Sequence, residues 1–126
     1  MLDTDTCSLA VRGVETISEK LYAHRGNWCI SAIVYQELAT GLLSARGTRL
    51  ESGYERFLRT VEVLEFGASD ALTAADFMVA NKRVGHNIGL SDNQIAGHAA
   101  NAGLTLVTNN LKHFSPMRGL SVVSWK

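Results

Sequence analysis

The chain has one proline and two cysteines in 126 residues. Cys7 and Cys29 form no CxxC pair and suggest no disulfide framework, so reduced and mostly buried thiols are expected. It also lacks an excess of charge. Twelve basic and twelve acidic residues cancel, which removes the bulk attraction that marks many nucleic-acid binders. No apolar run approaches the ~18 residues of a membrane-spanning helix. The opening MLDTD offers neither a basic nor an apolar leader segment, so a cytoplasmic protein without a secretory signal is expected. His24, His86 and His113 are scattered, with no zinc spacing such as HxxxH. No repeat, linker or low-complexity segment divides the chain, and one domain covering 1–126 is expected.

What is present is an alternation of short strand signals with amphipathic helices. The stretch from Asn87 to Asn110 organises it. Ser91 is placed as the N-cap of a helix beginning at Asp92, with Ile95, Ala96, Ala99 and Ala100 as its apolar face. Gly103 stops that helix in the left-handed conformation, and Leu104 to Val107 form a buried strand with a polar exit through Thr108, Asn109 and Asn110. Earlier, Met1 to Thr4 are expected as a very short strand, with Asp5 or Thr6 capping the helix behind it. Residues 28–30 form a strand, and Ser31 caps a helix running to about Ala45. Leu50, Tyr54, Phe57 and Leu58 mark another helix, and residues 61–66 another strand. Ser69 is expected to cap a helix with Leu72, Ala75, Phe77, Met78 and Val79, closed by Gly85. A loop with Phe114 and Pro116 leads to a last strand from Leu120 to Trp125. This pattern predicts an α/β fold, a three-layer α/β/α sandwich with a short, mostly parallel sheet. Such sheets bind ligands at the carboxyl ends of their strands.

Three acids sit on faces that packing alone would make apolar. Asp3 lies on a buried strand. Glu37 follows Ile33 and Val34 by four and three positions, and Asp92 precedes Ile95 and Ala96 by three and four. Each has a bland reading: a turn aspartate, a helix-edge glutamate, a first-turn carboxylate favoured by the helix dipole. All three, however, fall toward one sheet edge. Without a cation they would repel and raise one another's pKa. A hard cation such as Mg²⁺ takes oxygen ligands, keeps several waters, and suits phosphodiester hydrolysis.

The LDTD opening, the segments ISAIVYQELATGL, GHNIGLSDNQIAGHA and TLVTNNLKHF, and the closing GLSVVSW resemble, in this order, a PIN domain. More narrowly they resemble the VapC-type toxins of bacterial toxin–antitoxin pairs. The resemblance implies a Mg²⁺-dependent endoribonuclease, with Mn²⁺ able to substitute. It also implies a homodimer, neutralisation by a cognate VapB-type antitoxin, and structured RNA as substrate, tRNA first. By position, Asp3 matches the family's first acid, Glu37 the second and Asp92 the third. Asn110 falls where many PIN domains carry a fourth acid, which weakens the case for a second tightly held metal. Asp5 stands where Asn is commoner. The roles implied are Asp3 and Asp92 as the main metal ligands, directly or through water. Glu37 would hold and help deprotonate a water on the ion, and Asn110 would orient that water. Thr4 and Thr108 would be supporting polar groups.

From Asn87 onward Asp92 is the only acid, against Lys112, Arg118 and Lys126. Lys112 and Arg118, just past the strand exit, are candidate RNA contacts. Arg83 is another, although it also reads as a cation at a helix C-terminus, as does Lys82. His98 reads as a packed or edge histidine, and Trp28 and Trp125 as core or interface. Tyr54, Phe57 and Leu58 read as core on a helix pair where an antitoxin segment could dock. Two rivals stand beside the nuclease. Asp3-Thr-Asp5-Thr6 fits the DxDxT start of haloacid-dehalogenase-like phosphatases, but a longer preceding strand and a late acidic pair are missing. The other rival is a PIN fold that only binds RNA or a partner.

Overall fold

The computed structural model describes residues 1–126. Its helices are α1 (Thr4–Val11), α2 (Glu15–Ala23), α3 (Ala32–Ser44), α4 (Glu51–Thr60), α5 (Ala68–Arg83), α6 (Leu90–Asn101) and the single turn α7 (Leu111–Phe114). The strands are two residues each: β1 (Ile30–Ser31), β2 (Val63–Leu64), β3 (Leu106–Val107) and β4 (Val122–Val123). The helix and strand alternation is largely as expected, but every strand is shorter than its hydrophobic run, the expected first strand is reduced to a bridge at Leu2, and α7 takes up part of the expected loop around Phe114.

Two parallel ladders, β1 with β2 and β3 with β4, are joined by the first residues of the chain. Leu2 bridges Val107 in parallel, its amide donates to the Cys29 carbonyl at 2.9 Å, and the Asp3 amide donates to the Val107 carbonyl at 3.0 Å. The N-terminal segment therefore lies in the middle of a short parallel sheet, between β1 and β3. The strand order reverses there, and beside the carboxyl ends of the strands this is where α/β sheets bind ligands. Asp3 and Thr108 stand at that edge.

Local chemistry explains most helix boundaries. Ser31 caps α3 by accepting from the Ile33 amide, as expected. Gly103 ends α6 with φ +67°, a conformation L side chains rarely adopt. Three expected caps are displaced. Asp3 rather than Asp5 or Thr6 caps α1, its Oδ1 accepting from the Thr6 amide at 2.9 Å. Gly67 precedes α5 in place of Ser69, its amide held by Asp70 Oδ2 at 2.8 Å. Gly89 precedes α6 in place of Ser91, where the Asn93 side-chain Nδ2 donates back to the Ile88 and Gly89 carbonyls. Asp92 is thereby the third residue of α6.

Nineteen buried residues form one core cluster, among them Leu2, Ile17, Ile30, Val34, Leu38, Ile95, Leu106 and Phe114. Phe57, Trp28 and Trp125 join or pack against it, and Trp28 stacks on Phe57 with centroids 5.8 Å apart. Leu72 and Val79, among the apolar residues that mark this helix in the sequence, are exposed at 68% and 49%. The face of α5 that meets α6 instead carries Ala74, Phe77 and Asn81. Gly97 permits this pairing, since a Cβ there would lie 2.5 Å from the Ala74 nitrogen. Cys7 and Cys29 are free and buried, and burial pushes both thiols up.

His98 is 3% exposed on α6 and links three elements. Its Nδ1 meets Ser31 Oγ at 2.7 Å, and its Nε2 lies 3.7 Å from Asp70 Oδ2. The expected packed role is what the structure shows. Burial lowers its pKa below 6.5, opposed by Asp70. The unfolded chain therefore binds a proton at a pH where the folded one does not, and stability is lost as pH falls below about 6.5. Thermal melting should drop between pH 7 and pH 5, and the drop should shrink in His98→Asn. An unchanged drop in that variant would assign it to other groups.

Candidate active site

Asp3 is the centre of the candidate site. It is 5% exposed at the junction of the N-terminal segment, α1 and β3. Burial pushes its carboxyl up, while hydrogen bonds from the Thr108 hydroxyl and from Thr6 pull it down, and Asp5 raises it further. No lysine or arginine pairs with it. A buried carboxylate whose neighbours are neutral donors is costly when ionised and attracts positive charge.

Glu37 is half-buried in the second turn of α3. Its Oε1 accepts from the Thr4 hydroxyl at 2.6 Å, which brings it beside the residue that follows Asp3. Asp92, with a side chain 37% exposed, meets His113 Nδ1 at 3.2 Å through Oδ2. The Asn110 amide donates to Thr108 Oγ1 at 3.0 Å, so Asn110 is tied to the hydroxyl that also serves Asp3.

Asp3, Glu37 and Asn110 are thus linked through Thr4 and Thr108, and Asp92 is held by α7, the turn that Asn110 opens. Expected around one cation, the three acids instead take separate partners, and no three His, Cys, Asp or Glu side chains stand close enough to share an ion. The reason is local. Asp3 spends one oxygen on its helix cap, Glu37 bends to Thr4, and Asp92 turns to a histidine. The donor set itself is all oxygen, and Asp3 and Glu37 face no basic side chain, which suits a hard divalent cation bound with much of its water retained.

His113 was not singled out by sequence. Its ring also stands edge-on to His86, with centroids 6.0 Å apart. The signal that could have found it is its place three residues after Asn110 in a turn short enough to aim it at α6. Lys112 is exposed on the same turn. Arg118 lines a cavity of about 340 Å³ with Asp76, Phe77, His86 and Met117. Arg83 is exposed in the last turn of α5, where a cation favours the helix dipole. A cavity of about 500 Å³ is lined by Arg12, Arg49 and Arg56, near the opposite end of α1 from Asp3.

No helix is long and apolar enough to cross a membrane. The family model for the PIN domain matches residues 1–118. A tRNA(fMet)-specific endonuclease VapC of Salmonella typhimurium is 34% identical over 99% of this chain and 96% of its own length. Two solved structures align over the whole chain. VapBC2 from Rickettsia felis bound to a promoter DNA fragment has a TM-score of 0.90 at 29% identity and is covered over 98% of its length. DNA-bound VapBC from Salmonella typhimurium has a TM-score of 0.86 at 31% identity and is covered over 97%. The DxDxT likeness to phosphatases is accordingly a coincidence of a helix cap. With the family model matched over nearly the whole chain and these full-length likenesses in agreement, the chain belongs to the PIN domain family, in its VapC branch.

Proposed function

We propose that this protein is a divalent-cation-dependent endoribonuclease toxin that cuts structured RNA, with tRNA its substrate class, and is neutralised by a VapB-type antitoxin. The observation that carries the reading is Asp3, a buried carboxylate without a basic partner at the sheet's switch point. The VapC name of the Salmonella relative, with its tRNA(fMet) specificity, supports RNA as the target. The VapBC complexes among the solved structures support the antitoxin. Cytoplasmic action and a homodimer belong to the same reading.

Asp3 and Asp92 would hold Mg²⁺, or Mn²⁺ in its place, with Glu37 reaching it through water. When bound, the cation supplies an acidified water and charge neutralisation at the scissile phosphate. The chain's own groups do the rest. Thr108 and the Thr6 amide fix the Asp3 carboxylate, and Thr4 fixes Glu37 as the group that accepts a proton from the attacking water. His113 orients Asp92, and Asn110 offers an amide to the water or the phosphate. Lys112 is the nearest candidate for a backbone phosphate, while Arg118 and Arg83 would meet RNA farther along.

Thr4→Val tests the support of Glu37. It should lower kcat about tenfold, the scale of losing an orienting hydrogen bond at a metal site, with KM little changed. Equal turnover in wild type and variant would remove Thr4 as the support of Glu37. The reading as a whole is tested by sequencing RNA ends after expression of wild type and Asp92→Asn. New ends at defined tRNA positions should appear with wild type alone. The same ends in both strains would overturn it. The absence of a three-acid group, with Asn110 in place of an acid, favours one alternative: a PIN module that binds RNA without cutting it. That alternative predicts no cleavage of a tRNA panel at any Mg²⁺ concentration.

A further inference from the structure

We propose that His98 and Ser31 are positioning residues for the acid site, a buried strut that sets α3 against α6. Ser31 Oγ accepts the Ile33 amide at 3.1 Å to cap α3. Its one proton is then free to go to His98 Nδ1, 2.7 Å away. That assignment leaves the ring proton on Nε2, facing Asp70 Oδ2 at 3.7 Å. Serine, histidine and aspartate here have the residue types of a nucleophilic triad with the ring reversed, since in such triads the hydroxyl meets Nε2. Ser31 is also fully buried. The set therefore does no chemistry of its own.

Its placement gives it another task. Glu37 lies six residues after Ser31 on α3, and Asp92 lies six residues before His98 on α6. These helices carry two of the three acids, and this hydrogen bond is the side-chain link between the cap of one and the body of the other. Asp70 extends the strut to α5 and is itself fixed by Asn101 at 2.8 Å. Phe66 closes the ring edge-on at 5.5 Å. A change at Nδ1 is thus transmitted to where Glu37 and Asp92 stand, although neither touches His98.

This inference rests on the metal-dependent nuclease reading, and two polar variants separate the two. The side-chain oxygen of His98→Asn stands near the place of Nδ1 and can accept the Ser31 proton. The amide of His98→Gln reaches the place of Nε2 and leaves Ser31 without an acceptor. His98→Gln should melt lower than His98→Asn, because it leaves the buried Ser31 hydroxyl without an acceptor, so both are assayed at a temperature where each is folded. With folding checked by circular dichroism, His98→Gln should lose about tenfold in kcat at unchanged KM. It should also weaken Mn²⁺ binding severalfold, read by electron paramagnetic resonance without RNA. His98→Asn should stay within about threefold of wild type on both, by the same scale. If the two variants match each other in kcat and in Mn²⁺ affinity while wild type is active, the strut is packing alone and the proposal fails. If wild type neither binds Mn²⁺ nor cleaves RNA, it is the nuclease reading that fails.

Discussion

Asp3→Asn is expected to abolish RNA cleavage, by more than about 100-fold, while leaving the metal-free protein as stable as wild type or more so. Two features of Asp3 lead to this. As the cap of α1, it needs only an oxygen to accept the Thr6 amide, and asparagine supplies one with comparable capping strength. As a buried anion without a basic partner, it is disfavoured by desolvation, which the neutral amide relieves. Saturating Mg²⁺ should raise the melting temperature of wild type, because a ligand that binds only the folded state stabilises it by about 2.7 kcal/mol at a hundredfold excess over Kd. The variant should show no such rise. Differential scanning calorimetry with and without Mg²⁺ reads both. A steep fall in metal-free stability, with the Mg²⁺ shift intact, would make Asp3 a structural cap and nothing more.

The second large effect concerns the joint between α5 and α6. Helix propensity alone says that Gly97→Ala should stabilise by about 1 kcal/mol, because glycine is a poor helix residue. The structure predicts the opposite sign. An added Cβ would stand 2.5, 2.6 and 2.8 Å from the nitrogen, Cα and Cβ of Ala74, and two of these are backbone atoms that cannot swing aside. Overpacking of this kind costs about 3 kcal/mol, so a net loss of about 2 kcal/mol is expected after the propensity gain. Gly97→Val should lose more. Gly89→Ala is the control: nothing lies within 4 Å of its added Cβ, and the poorer N-cap alone costs about 0.5–1 kcal/mol. Urea unfolding of the three variants measures these differences. A more stable Gly97→Ala would mean that α5 and α6 do not approach as described. Because α6 carries Asp92, the substitution should also reduce cleavage in the fraction that remains folded.

How far the residues announced this arrangement depended on the range of the forces involved. Ser31, Gly103 and the Ile95, Ala96, Ala99 face were legible because a cap, a left-handed turn and a helical stripe are each settled within a few residues. The acids were noticeable for the same reason, as charges out of place on apolar faces. The cap of α1 was misplaced because the end of the preceding strand is fixed by Val107, far along the chain, and not by local preference. Leu72 and Val79 look like core to a periodicity argument. Which face of α5 is covered, however, depends on small residues in α6, and Gly97 is the one that decides it. The pairs Thr4 with Glu37 and His113 with Asp92 join distant segments and leave no local trace. The direction in which each acid turns was therefore beyond sequence, although its approximate place was not.

Anomalous diffraction from crystals of the protein soaked in Mn²⁺ addresses the central claim most directly. The account predicts one ion at the carboxyl edge of the sheet, against Asp3, with Asp92 still held by His113 and Glu37 still held by Thr4 as they reach it, directly or across water. An ion bound elsewhere, or none at this edge at concentrations that saturate related hard-cation sites, would contradict it.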